Sequence, residues 1–377
     1  MTLTSLFKTP WPWFGGKSDA APAVWAALGD VDHYVEPFAG SLAVLLRRPH
    51  ECNRTYHSET VNDLDGLLVN AWRSMQHSPD AMAEAASWPV SEADMHARHL
   101  AIVKWKADRN LELLMADPAW HDPVMAGWWA WGQSCWIGSG WCDGTGGWVV
   151  GEDGRITRRE KGTREPGVSR KLPHVGNDGV GVNRPQAREP GVSRQPPHVS
   201  DNGNGVNHAG TREPGVGNYH PMTMPELTRW FRFLSARLRH VRILNGDWTR
   251  AVTTGAAFTL SVRQGGHCGV FLDPPYASAR SADLYVEDSM TVAHDVRAWA
   301  VEAGEDPRFR IVLAGYADEH AMPSTWRSVE WFRAGFLRGG MAQQSEAGHQ
   351  QAAERLWLSP ACLGTETRQG ELFARTP

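Results

Sequence analysis

Short apolar runs that close on small or acidic residues mark the first and last thirds of the chain. HYVEPFAG (33–40) is one such run ending in a glycine turn, and SLAVLLRR (41–48) behind it predicts the start of a helix. TYHSETVND (55–63) reads as a second strand with a polar end, followed by LDGLLVNAWRSM (64–75) as a helix. This strand-turn-helix rhythm predicts a parallel α/β sheet. Residues 79–117 predict helix, with Ser78 and Asp80 as capping residues at the start. In MPELTRWFRFLSARLRH (224–240), Leu227, Trp230, Phe231, Leu234 and Leu238 form a helical stripe. VRILNGDW (241–248), CGVFLDPPY (268–276) and RIVLAGY (310–316) predict further strands, each ending in polar or turn residues.

The middle of the chain breaks the rhythm. Residues 118–150 are rich in Trp and Gly, and neither the helical nor the strand period dominates; seven of the 19 tryptophans lie between Trp120 and Trp148. Core packing is the plainer reading of these tryptophans, with base stacking as the alternative. A 24-residue repeat follows: Arg-Glu-Pro-Gly-Val starts at Arg164, Arg188 and Arg212, and Pro-His-Val recurs at Pro173 and Pro197. Its Gly, Pro and Asn content argues for turns, short hairpins or disorder. His174 and His198 recur with it, but one histidine per copy makes no metal site. The α/β rhythm resumes at Met224. The chain therefore divides into residues 1–78, an inserted region over 79–222, and residues 223–377.

Charge sharpens this division. The whole chain carries a formal net charge of -4, which disfavours a protein held to nucleic acid by bulk charge alone. Between Arg155 and Arg194, however, ten Lys or Arg stand against four Asp or Glu. Arg229, Arg232, Arg237, Arg239 and Arg242 read either as one basic helix face or as an ordinary solvated one. The five cysteines form no C-x-x-C pair, which points away from zinc and disulfides and towards a reducing, cytoplasmic setting. No run of about 18 apolar residues exists, so no membrane partner is expected.

Four short motifs carry the candidate chemistry. Asp273-Pro274-Pro275-Tyr276 follows an apolar strand, and ligands of open α/β sheets sit beyond the carboxyl ends of strands. Adenine N6 is a poor nucleophile, because its lone pair is delocalised into the ring. Acceptors from Asp273 and the Pro274 carbonyl can bind both amine hydrogens and free that lone pair, and Tyr276 can stack on the base. Glu36-Pro37-Phe38-Ala39-Gly40-Ser41 is a strand-to-helix turn in which Gly40 permits close approach to a ligand. Asn62-Asp63 ends the second strand, where an acid can take both hydroxyls of a ribose or simply cap a helix. In Trp13-Phe14-Gly15-Gly16-Lys17, the glycines let backbone fold over a ligand and Lys17 can meet a carboxylate.

Together, WFGGK, EPFAG, ND and DPPY, in that order, resemble the Dam-like, or D12, class of adenine-N6 DNA methyltransferases. ILNGDW and IVLAGY also look like strands of that family. The resemblance covers about residues 8–75 and 224–360. It implies a Rossmann-like S-adenosylmethionine-dependent methyltransferase fold with an inserted target-recognition region. It implies that Trp13, Lys17, Phe38, Gly40, Asp63 and Asp273 hold S-adenosylmethionine, with Asp247 a further cofactor contact. It places the target base at Asp273, Pro274, Pro275 and Tyr276. The box departs from the family in carrying Ser41-Leu42 after the turn. The implied partner is double-stranded DNA with the target adenine flipped out, and no metal is required. A monomer or weak dimer in a bacterial or phage-infected cell is expected, with a restriction-modification or bacteriophage setting. Two rivals stay open at this point: a cytosine-N4 methyltransferase, and a non-catalytic DNA-binding relic.

Overall fold

A computed structural model describes residues 7–11, 13, 16–49, 58–108, 110–136, 141–142, 148–150, 156–158, 223–253, 260–275, 288–316, 320–331 and 354–364. Tyr276, Phe14, Gly15 and the 24-residue repeats lie outside them. These residues fall into two compact units. One is drawn from Pro10–Pro12 and Arg73–Ser235, the other from Phe7–Thr9, Trp13–Trp72 and Ala236–Pro377.

The second unit is built on a seven-stranded sheet. Its strands are β1 (His33–Glu36), β2 (Ser58–Asp63), β5 (Val241–Asn245), β6 (Cys268–Leu272), β7 (Phe309–Tyr316), β8 (Arg327–Glu330) and β9 (Glu354–Leu358). They lie in the order β5-β2-β1-β6-β7-β9-β8. The first five are parallel, while β9 runs antiparallel to both β7 and β8. The mixed α/β class and largely parallel sheet agree with the sequence rhythm. All residues of β1 and β6 are buried, which is why HYVE and CGVFL read as unbroken runs: a central parallel strand is covered on both faces. β5 alternates buried and exposed positions, as suits an edge strand, and the opposite edge, β8, is short, mostly exposed and charged.

Helix α1 (Ala21–Leu28) begins with Pro22 in its first turn and packs on β6 and β7. Helix α10 (Asp288–Ala303) also packs on β7. Val35, Val270, Leu272, Ile311 and Leu313 meet Val296 and Ala300 in one apolar cluster. Each such buried side chain contributes about 1.5–3 kcal/mol.

SLAVLLRR does not form the expected α-helix. Leu42 takes a left-handed backbone (φ 53°), and only a 3-10 turn forms over Leu45–Arg47. A left-handed conformation costs a non-glycine residue about 1–2 kcal/mol. The turn is held in place by bonds to its carbonyls: the Trp25 indole donates to Val44 O at 2.8 Å, and Arg237 donates to Leu45 O at 3.0 Å.

The other unit holds α3 (Pro79–Ala86), α4 (Glu92–Ala107), α5 (Asn110–Ala116), α6 (Pro123–Cys135) and the hairpin of β3 (Trp148–Val150) with β4 (Ile156–Arg158). Helices α3–α5 fill the span expected to be helical. Ser91 caps α4 by accepting from Asp94 N, and Asp122 caps α6 by accepting from Val124 N and Met125 N. Helices α3 and α6 approach closely at Gly127, where a Cβ would stand 2.5 Å from Ala85 Cβ. Arg73 is buried and donates to the carbonyls of Leu114 and Asp117, closing the end of α5. Trp129 and Trp131 of this unit are buried, and the rings of Trp131, Trp128 and the largely exposed Trp88 stand 4.3, 5.6 and 5.7 Å from the Arg98 guanidinium. The leading part of α7 (Met224–Leu238) belongs here and buries the predicted stripe through Leu227, Trp230, Phe231 and Leu234; Leu238, in the sheet unit, is buried too.

The five arginines of 229–242 do not share one face. Arg232 pairs with Asp80 at the surface, Arg237 is drawn into the sheet unit by Glu59, and Arg242 lies on β5 with its Nε donating to Thr60 Oγ1 at 2.9 Å.

Candidate active site

Chain order reverses its direction across the sheet between β1 and β6: β2 and β5 lie on one side of β1, and β6 and β7 on the other. At such a switch point the connections leave the carboxyl edge in opposite directions and open a crevice. The candidate residues lie at the carboxyl edge: Glu36 at the end of β1 and Phe38 after it, Asp63 at the end of β2, Asp247 after β5 and Asp273 after β6.

Asp273 is partly buried, and its Oδ1 is 3.0 Å from Lys17 Nζ. Lys17 is 4 % exposed and lies at the start of α1, so WFGGK and DPPY converge on one ion pair. The ammonium also stands 5.9 Å from the ring centre of Trp331. The Trp331 indole N–H is buried and meets no acceptor among the described residues. Pro274 is buried beside Asp273 and Pro275 is half-buried.

The glycine turn is fixed by the ND pair. Gly40 adopts φ 47°, and a Cβ there would meet the Trp13 indole nitrogen at 2.8 Å. Backbone and indole thus approach more closely than any side chain allows. Gly40 N donates to Asp63 Oδ2 at 2.9 Å, and the Trp72 indole donates to Gly40 O at 2.9 Å. The other oxygen of Asp63 accepts from Asp65 N at 2.9 Å. Burial pushes the Asp63 carboxyl up to about 6, against the lowering effect of these backbone amides. Each of its oxygens keeps a lone pair for a further donor.

Asn62 ties three strand ends together. Its Nδ2 donates to Pro37 O at 3.1 Å and to Gly246 O at 2.9 Å, and its backbone carbonyl accepts from Ala39 N. Its Oδ1 is buried and meets no donor among the described residues. Phe38 stacks on Trp248 with ring centres 6.3 Å apart. Asp247 is exposed and caps α8 (Thr249–Val252), accepting from the backbone N–H and the hydroxyl of Thr249.

Glu36 is the buried acid of this edge, 3 % exposed, and it accepts from the Tyr34 hydroxyl at 3.0 Å. Burial pushes its carboxyl up to about 8. The Tyr34 hydrogen bond opposes the rise, the Asp273 charge adds to it, and the Leu45 amide opposes it.

The structure therefore gathers Trp13 with Gly40 and Asp63, Lys17 with Asp273, and Phe38 with Trp248. Asp247 shares the edge but is engaged in capping, and Tyr276 lies outside the described residues. Sequence reasoning quoted Glu36 and Asn62 without giving either a task, although an acid inside an apolar run was a signal. Trp248 and Trp331 carried no signal. Among the described residues, no group of three or more His, Cys, Asp or Glu is placed to hold a metal ion, and no helix is long and apolar enough to cross a membrane.

The donor set suits an adenosyl amino acid: an ammonium for a carboxylate, an acid for ribose hydroxyls, and a turn without a Cβ for close approach. Residues 13–95 match the family described as D12 class N6 adenine-specific DNA methyltransferase, which bears out the resemblance; WFGGK, EPFAG and ND lie within that stretch and DPPY beyond it. The family's activity is methylation of adenine in DNA. No curated protein matches the chain at a significant level.

Proposed function

We infer that this chain, an adenine-N6 DNA methyltransferase by its match, carries out the transfer at the carboxyl edge between β1 and β6, with S-adenosylmethionine as donor. The observation that carries the reading is the buried Lys17–Asp273 pair, which unites the first and last boxes at the switch point of the sheet. Five parallel strands with a closing antiparallel pair support a Rossmann-like methyltransferase fold.

The cofactor supplies an activated methyl group on a sulfonium. Lys17 meets its carboxylate, Asp63 its ribose hydroxyls, and Trp13, Phe38 and Gly40 form the wall against which it lies, with Asp247 and Asp273 as further contacts. Asp273 and the Pro274 carbonyl accept the two N6 hydrogens of adenine. That favours a tetrahedral nitrogen whose lone pair is free to attack. Pro275 stiffens the turn, and Tyr276 stacks on the base. The amine is paired and stacked inside a duplex, so the base is flipped into this site.

Residues 79–222 form the inserted target-recognition region between the two parts of the catalytic core, 1–78 and 223–377. The basic repeats within it engage phosphates. The setting is the cytoplasm of a bacterial or phage-infected cell, as part of a restriction-modification or bacteriophage system, with the enzyme a monomer or weak dimer.

Two measurements test this reading. Calorimetric titration with S-adenosylmethionine should show one site per chain. A duplex carrying 2-aminopurine at a methylated position should brighten on binding as that base leaves the stack. A chain that binds no cofactor, or a probe that stays dim in a tight complex, overturns the corresponding part.

A further inference from the structure

Glu36 has no task in the assignments above, yet its surroundings are those of a working acid. The groups that face it come from every element packed around it. On its own strand, the Tyr34 hydroxyl donates to Oε2 at 3.0 Å. Past β6 stands Asp273, already paired with Lys17. On β2 stands Glu59, already held by Arg48 and Arg237. From the 3-10 turn comes only the Leu45 amide. Among the described residues, no cation pairs with Glu36. A buried carboxyl that receives only a phenol and an amide, with a second carboxyl nearby, keeps its proton. The free site then holds a neutral Glu36 beside the Lys17–Asp273 ion pair.

That balance changes when a positive sulfonium enters. We propose that Glu36 is the proton store of the site: it is neutral in the free enzyme, ionises when the sulfonium binds, and takes up a proton when the methyl group leaves. This rests on the cofactor reading given above.

The electron and proton count closes. The C–S bond breaks with its electron pair left on sulfur. The new C–N bond forms from the N6 lone pair, and the nitrogen then sheds one proton. That proton leaves through the Asp273 carboxylate, which accepts an N6 hydrogen, and ends on the Glu36 carboxylate. One proton has gone to solvent on cofactor binding and one is retained after transfer, so the site regains its starting charge once the thioether departs. Glu36 also gives the sulfonium a compensating charge beside the Lys17–Asp273 pair, which is already balanced.

The test is proton counting, not activity. The full chain is titrated at pH 7 with S-adenosylmethionine and, separately, with its uncharged thioether, S-adenosylhomocysteine. Each titration is run in two buffers of different ionisation enthalpy. Binding of the sulfonium should release about one proton more than binding of the thioether. In Glu36→Gln that difference should vanish while both ligands still bind. Equal proton release for the two ligands in the wild-type chain overturns the proposal, and this comparison needs no variant. A Glu36→Gln chain that keeps the difference overturns it as well. If neither ligand binds, the cofactor reading itself has failed and the proposal falls with it.

Discussion

Glu59 near the start of β2 and Glu36 at the end of β1 are buried carboxyls on neighbouring parallel strands, and Tyr34 lies in register with Glu59. Glu59 receives both Arg48, at 3.0 Å, and Arg237, at 2.7 Å. Burial alone would raise its carboxyl, but the two guanidiniums outweigh it and hold the group below the usual range. Glu36 receives a phenol and a backbone amide, faces Asp273, and sits at about 8. One sheet thus treats two similar acids in opposite ways. Towards the amino ends of the strands, charge is fully paired and serves to hold elements together. At the carboxyl edge it is left under-compensated, which suits a site that must accept a charged ligand. Perturbed acids gather where chemistry is done, because a balance already strained is easily shifted.

The largest effect expected from disturbing this contrast is at Asp273. Asp273→Ala removes the charged acceptor for the adenine amine. Single-turnover transfer should fall by at least about a thousandfold, which is roughly 4 kcal/mol of barrier. Because buried Lys17 then lacks its counter-charge, thermal unfolding should also move down, and transfer is compared well below that transition. Near wild-type turnover in this variant would remove Asp273 from the chemistry.

Next comes the pH dependence set by Glu36. Below its ordinary value of 4.5 the carboxyl is protonated whether the chain is folded or not, and it costs nothing. As pH rises from there towards about 8, the unfolded chain loses the proton while the folded one keeps it, so stability falls. The cofactor-free protein should therefore lose up to about 4 kcal/mol over this window from this group alone. Glu36→Gln should flatten the slope by that amount in denaturant titrations run at pH 5 and pH 8. Identical slopes would mean that Glu36 ionises normally.

Glu59 should behave in the opposite way. Glu59→Gln leaves Arg48 and Arg237 partly buried without their counter-charge and should cost about 3 kcal/mol of stability. The loss should be greatest at neutral pH and shrink as acid protonates the wild-type carboxyl. A loss that does not depend on pH would point to packing in place of charge.

The smallest effects fall on the cofactor contacts. Lys17→Ala and Asp63→Ala should each weaken S-adenosylmethionine binding by about 1–3 kcal/mol. Asp63→Ala should also loosen the turn at Gly40, because the carboxylate holds the Gly40 amide. Unchanged affinity in both would show that the boxes shape the edge without touching the cofactor.

The parts of this arrangement that were legible in the sequence are those fixed by local pattern. HYVE and CGVFL announce buried parallel strands because nothing polar interrupts their apolar residues until the edge. The order of the boxes places Lys17, Gly40, Asp63 and Asp273 on one edge, since parallel strands present their carboxyl ends together. SLAVLLRR misled because its helical propensity is overridden at Leu42, where the chain must turn while Gly40 is tied to Asp63. The ionisation of Glu36 depends on its burial, on Asp273 and on no cation pairing with it among the described residues, and those are long-range facts. Likewise, the grouping of Trp88, Trp128 and Trp131 around Arg98 follows from how α3, α4 and α6 pack, which a tryptophan count does not reveal.

The most direct measurement is to incubate the purified full-length chain with S-adenosylmethionine carrying an isotopically labelled methyl group and mixed-sequence duplex DNA. The DNA is then digested to nucleosides and resolved by mass spectrometry. The account predicts label in N6-methyl-2′-deoxyadenosine from the wild-type chain and none from Asp273→Ala. Label in N4-methyl-2′-deoxycytidine, or equal label from both chains, would contradict it.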